Sequence, residues 1–210
     1  ASTAAPFSVT RQLRQTSLAT MVAGSPLSPA VVARIMSGVA ESLNMARHYQ
    51  VYHHGLKPTN IFVSDEPSQG VQLMDFGVSI VRGTSPTHEA YAACAPWWAP
   101  EQIQAVDHGD AVTDVFAAAL VAFYALTGRS YWQSCQQLPP DLKAWQQELL
   151  GPRAPVSLRA NEFGMRLSAA VDTVFLRCLA VSPSDRAQQV EELVAALSSL
   201  ENSGQQETAQ

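Results

Sequence analysis

Lysine is nearly missing from this chain: of its thirteen basic residues only Lys57 and Lys143 are lysines. None of its eleven glycines stands in a Gly-x-Gly spacing with another. Two common devices for cradling phosphate are therefore missing. Charge is sparse as well, with 15% charged residues against the roughly 25% usual in soluble domains. Thirteen basic against eighteen acidic residues leave a formal net charge of -5, which excludes a generic nucleic-acid binder. The longest unbroken apolar run, Val115 to Leu126, has twelve residues, short of the roughly 18 needed to span a bilayer. No basic region followed by an apolar stretch opens the chain, so no membrane insertion is expected. Cys94, Cys135 and Cys178 stand far apart with no C-x-x-C spacing. Neither a disulfide framework nor a zinc knuckle is suggested, and a reducing cytoplasm is the expected location.

What is present is 210 residues with 47% hydrophobic content, enough for one globular domain with a sizeable core. The opening Ala-Ser-Thr-Ala-Ala-Pro lacks an initiator Met and any periodicity, which suggests a processed start or a fragment, with residues 1–7 as linker. From Ser8 to Ala23 the apolar positions are loosely helical until Gly24-Ser-Pro. Ser28-Pro29 starts a second helix whose face of Val31, Val32, Ile35, Met36, Val39 and Leu43 runs at helical spacing to about Tyr49. Asn60-Ile-Phe-Val-Ser and Val71-Gln-Leu-Met, separated by the turn-rich residues 65–70, predict a small hairpin. Residues 77–109 are punctuated by glycine and proline and are expected to form a long irregular loop. A helix apolar on nearly every side is predicted from Asp110 to Leu126, ended by Thr127-Gly128. Further helices are expected at about 141–150, 166–180 and 186–200, with a polar, flexible tail over 201–210. The fold class is mainly α, with residues 8–200 forming the body.

In order along the chain, several segments resemble the motifs of the protein kinase family. His53-His54-Gly55-Leu56-Lys57-Pro58-Thr59-Asn60 resembles the catalytic loop H-R-D-L-K-P-x-N. Asp75-Phe76-Gly77 resembles the metal-binding D-F-G, and Trp98-Ala99-Pro100-Glu101 resembles the A-P-E that closes the activation segment. Thr113-Asp114-Val115-Phe116 resembles the S-D-V helix start, and Cys178 to Arg186 resembles the closing C-L-x-x-x-P-x-x-R. The resemblance implies the carboxy-terminal lobe of a bacterial-type serine/threonine kinase, a helical body with a small β-hairpin. The 45 or so residues before the catalytic loop match the two helices that follow the hinge. That leaves the N-terminal β-lobe, with its glycine-rich loop, strand lysine and partner glutamate, absent from the expected fold.

The resemblance also implies a damaged centre. Where the family has the aspartate that orients the acceptor hydroxyl and takes its proton, this chain has Gly55, and its arginine is His54. Lys57, which would stabilise the transferring phosphate, is then expected to brace the loop. Asn60 and Asp75 are the family's metal ligands, but structural retention is the favoured reading and no bound Mg-ATP is expected. His48, His53 and His54 lack the spacing of a metal cluster. His53 is expected to pack on Phe76, Asp114 to accept backbone amides of the loop, and Glu101 to pair with Arg186. Ser79, Thr84, Ser85 and Thr87 are possible phosphate acceptors. Phe62, on the bare floor, and Trp97 and Trp98, in the activation segment, are candidate interaction residues. The expectation is therefore a non-enzymatic pseudokinase lobe, a regulatory or scaffold module binding a protein partner such as an active kinase or a second copy of itself. The alternatives are part of a longer or split serine/threonine kinase, and a Mg-nucleotide-sensing regulator.

Overall fold

A computed structural model describes residues 15–64, 70–76, 88–104 and 110–207. Two long helices organise these residues. The first, α2 (Pro29–His48), starts where the Ser28 side chain accepts the Val31 N–H and Pro29 pre-sets the first helical φ. Its buried face is Val32, Ile35, Met36, Val39 and Leu43, the stripe that the helical spacing predicts. The chain leaves it through Tyr49, whose N–H bonds back to Ala46 and Arg47, and through Gln50 at φ 57°. The second, α5 (Ala111–Thr127), opens on a reciprocal cap. Asp110 accepts the Val112 N–H at 2.9 Å, and the Thr113 hydroxyl accepts the Asp110 N–H at 3.2 Å. It is buried almost from end to end. Burying a side chain such as Phe116 or Phe123 is worth about 1.5–3 kcal/mol. The helix stops at Gly128, whose φ of 67° lets its N–H close on Tyr124 O at 2.7 Å.

Around these pack α1 (Leu18–Gly24), α6 (Leu142–Leu150), α7 (Val156–Asn161), α8 (Asp172–Cys178) and α9 (Val190–Glu207). Helix α9 lies along α2, where the Asn44 amide donates to Glu191. On the other side of α2 sits an antiparallel sheet in the order β1 (Thr16–Ser17), β2 (Ile61–Val63), β3 (Val71–Leu73). The register pairs Ser17 with Phe62 and Phe62 with Gln72. Strand β3 runs so close to α2 that a Cβ on Gly38 would stand 2.8 Å from the Val71 side chain.

Four expectations need correction. The helix expected from Ser8 begins only at Leu18, after a strand that makes the hairpin a three-stranded sheet; residues 8–14 lie outside the described part. The stretch 77–109 is not a continuous loop, because α3 (His88–Cys94) and α4 (Pro100–Gln104) form within it, joined by a 3₁₀ turn at Ala95–Trp97. Helix α7 was not expected, and α8 begins later than 166. The polar stretch from 201 continues α9 as far as Glu207.

Candidate functional site

The loop between α2 and β2 is held from below by one carboxylate. Asp114, in the first turn of α5, accepts the His53 N–H on Oδ2 and the His54 N–H on Oδ1, both at 2.8 Å. Burial pushes its carboxyl up to about 6, against the pull of those two donors. A second clamp comes from Gln102, which accepts the Ala99 N–H at 2.9 Å and donates to His54 O at 2.8 Å. It ties the loop to the start of α4. Sequence reasoning missed it, although it stands next to Glu101, because a buried amide carries no periodic signal.

Inside the loop the bonds are short in sequence. The Gly55 N–H donates to His53 Nδ1 at 3.3 Å, and Asn60 Nδ2 donates to Gly55 O at 3.0 Å. The Asn60 carbonyl in turn accepts the Met74 N–H at 2.9 Å. That bond fixes where β3 ends, and so delivers Asp75 beside the loop. His53 is fully buried with its ring 4.5 Å from the Phe76 ring, and burial lowers its pKa to about 4. His54 stacks on Tyr52 with centroids 5.7 Å apart. His54 and Asp75 both sit at positive φ, 55° and 63°. Non-glycine residues seldom adopt that conformation, and held at a site it costs about 1–3 kcal/mol each.

The structure thus gathers His53, His54, Gly55, Lys57, Asn60, Asp75, Phe76 and Asp114 around one loop. Lys57 reaches across to α3, where its Nζ lies 3.3 Å from Cys94 Sγ. Asn60 is buried, whereas Asp75 is exposed. With the Asn60 amide nitrogen committed to Gly55 O, the amide oxygen and the Asp75 carboxylate are the atoms that suit a hard cation such as Mg²⁺. Among the described residues no three His, Cys, Asp or Glu side chains gather as metal ligands.

Glu101 and Arg186 stand apart from this loop and lock α4 to the body. Arg186 Nη1 and Nη2 donate to Glu101 Oε1 and Oε2 at 2.5 and 2.6 Å. Arg186 also donates to the Ala180 and Val181 carbonyls, and its guanidinium lies 4.9 Å over the Phe116 ring. Burial alone would raise the Glu101 carboxyl, but the Arg186 bonds outweigh it and hold the group below its usual range. Trp97 packs edge-on against Tyr124 at 5.6 Å, and Trp98 against Tyr91 at 5.1 Å. Phe62 is half-buried and alternates to the face of β2 opposite the buried Ile61 and Val63. Gly77, Ser79, Thr84, Ser85 and Thr87 lie outside the described residues.

Residues 7–196 match the family model of the protein kinase domain. Over 169 residues the chain is 32% identical to the serine/threonine-protein kinase Pkn1 of Myxococcus xanthus, covering 78% of this chain and 23% of that protein. Over 181 residues it is 29% identical to the serine/threonine-protein kinase PknB of Mycobacterium tuberculosis, covering 84% and 27%. It therefore spans about a quarter of the length of these curated relatives. Among solved structures, the PknI kinase domain of Mycobacterium tuberculosis superposes with a TM-score of 0.62 at 21% identity, covering 90% of this chain and 63% of that one. That likeness shows the fold.

These findings overturn the expectation of a non-enzyme, since the matching proteins are serine/threonine-protein kinases by name and the matching model is that of the kinase domain. Gly55 by itself does not exclude phosphoryl transfer. Phosphoryl transfer passes through a loose transition state in which positioning and electrostatics do most of the work. A missing base lowers the rate without removing those contributions. No helix among the described residues is long and apolar enough to cross a membrane.

Proposed function

This chain belongs to the protein kinase domain family, and from that membership we propose that it is the helical C-terminal lobe of a serine/threonine protein kinase. It works with a nucleotide-binding lobe supplied by a longer protein of which it is part or by a second chain. The observation that carries this reading is the clamped loop: Asp114 and Gln102 hold the backbone of His53 and His54 in the loop that also carries Lys57 and Asn60, and the Met74 N–H to Asn60 O bond brings Asp75 next to it.

The roles follow from the side chains. Asn60 and Asp75 would hold Mg²⁺ with the nucleotide, and that ion would neutralise charge on the phosphates. Lys57 carries positive charge on a flexible stem toward the transferring group. Residues 53–60 contain no carboxylate, so the acceptor's proton leaves to a group outside the loop. General-base assistance is typically worth 10²–10⁴-fold, and this enzyme is accordingly slow.

A companion lobe is supported by what the described residues leave open. A groove of about 1110 Å³ runs between α2 and β3, lined among others by Ile35, Met45, Val63, Val71 and Phe76. At its end Met45 and Tyr49 are 71% and 73% exposed. This is a surface suited to another folded body.

The test is transfer of labelled phosphate from ATP to serine- or threonine-containing peptides by the full-length protein with Mg²⁺. Labelling that disappears in Asp75→Asn supports the reading. Labelling unchanged by that substitution, or none from the full-length protein even when the chain supplying its nucleotide-binding lobe is present, refutes it.

A further inference from the structure

Lys57 and Cys94 are 37 residues apart in sequence, yet the ammonium of one lies 3.3 Å from the sulfur of the other. The contact joins the loop around Gly55 to the last residue of α3. Neither residue is sealed off, since both are of intermediate exposure. The nucleophile in cysteine chemistry is the thiolate, and here a lysine nitrogen stands within reach of the sulfur that would be oxidised. The other two thiols are poor competitors: burial pushes Cys135 up to about 11 and Cys178 up to about 12.

The geometry points to Cys94 and Lys57 as a covalent modification site, in which a hydroperoxide converts the pair to a sulfur–nitrogen bridge. In the first step the Cys94 thiolate attacks the peroxide. The O–O bond breaks, sulfur gives up two electrons to become the sulfenic acid, and the other peroxide oxygen departs as hydroxide, taking up a proton to form water. In the second step the Lys57 amine, having lost its extra proton, attacks that sulfur. The S–N bond forms, the S–O bond breaks, and the leaving hydroxide takes up a proton as a second water. The product is a sulfenamide that is lighter than the reduced pair by two hydrogens. A thiol reductant reverses it by attacking sulfur and releasing the amine.

Two consequences follow. The bridge removes the positive charge of Lys57, and it ties the loop to α3 through a bond in place of a contact. The bridge itself stands on the Lys57 to Cys94 geometry alone; its effect on phosphoryl transfer rests on the kinase reading.

The test is mass spectrometry of the protein after brief treatment with hydrogen peroxide and proteolysis. The expected result is a Lys57–Cys94 linked peptide pair lighter by two hydrogens, absent from Lys57→Arg and Cys94→Ser, and lost after dithiothreitol. Peroxide that leaves Cys94 as sulfenic or higher acids without the link overturns the proposal, as does oxidation of Cys135 or Cys178 ahead of Cys94. In the full-length protein, peroxide should stop peptide labelling in the parent and spare it in Cys94→Ser. A linked peptide without that loss leaves the bridge standing and counts against the kinase role of Lys57.

Discussion

Arg186 is buried completely on its side chain, while its partner Glu101 keeps 16% of its side chain exposed. The two halves of this ion pair are therefore unequal. Removing Glu101 strands a buried guanidinium with no counter-charge, only backbone carbonyls and the Phe116 ring beside it. Removing Arg186 leaves a carboxylate that still accepts from the Thr113 hydroxyl at 2.8 Å and reaches solvent. Breaking a buried pair typically costs about 3–5 kcal/mol. Glu101→Ala should stand at the upper end and Arg186→Ala at the lower, read as midpoints of denaturant unfolding. Equal losses would mean that the guanidinium finds other relief. His53 offers a test of a different kind. Its pKa is about 4 when folded against 6.5 in the unfolded chain, so below pH 6.5 the unfolded state binds the extra proton. Stability should fall as pH drops from about 6.5 to 4, by at most ~3 kcal/mol. Asp114, pushed up to about 6, takes up its proton in the folded state and contributes in the opposite sense. Comparing the parent with His53→Phe over that range isolates the histidine, because Asp114 is present in both. The variant should lose less stability on acidification; identical slopes would show that His53 does not titrate differently on folding.

At the scale of elements, α2 and α5 were legible because each carries its own evidence: a cap residue, an apolar pattern and a stop. Helices α3 and α4 were not, since proline and glycine around them predict irregular chain. They are held by partners distant in sequence, with Trp97 on Tyr124 and Trp132 Nε1 donating to Pro96 O at 2.8 Å. Much of the candidate site was legible through the family resemblance of the motifs that hold His53, Asn60, Asp75 and Asp114. The Gln102 clamp and the Lys57–Cys94 contact were not, because each depends on the tertiary approach of short segments. Gly38 shows the same limit. Helix propensity alone says that alanine there should stabilise by about 1 kcal/mol. The structure says the reverse, because the new methyl would stand 2.8 Å from the Cβ and Cγ2 of Val71, and overpacking of this kind costs about 1–3 kcal/mol. Gly38→Ala should lower the melting temperature, and adding Val71→Ala should recover part of the loss. A Gly38→Ala protein that melts higher than the parent would mean that β3 can step away from α2 freely.

For the molecule as a whole, the long helices and the three-stranded sheet supply a floor, and the loop from His53 to Asn60 is clamped onto it by Asp114 and Gln102. The α2–β3 groove and the exposed Met45 and Tyr49 belong to one side of that floor. Substitution of Gly55 is the point at which the catalytic reading departs furthest from the rest of the family pattern. The measurement that tests it most directly is the rate of phosphate transfer from ATP to a serine/threonine peptide by the full-length protein, with Asp75→Asn and Gly55→Asp measured alongside. The account predicts slow labelling by the parent, background labelling by Asp75→Asn, and a rate raised by about 10²–10⁴-fold in Gly55→Asp. A parent protein that leaves the peptide unlabelled, with Gly55→Asp equally silent, would contradict it.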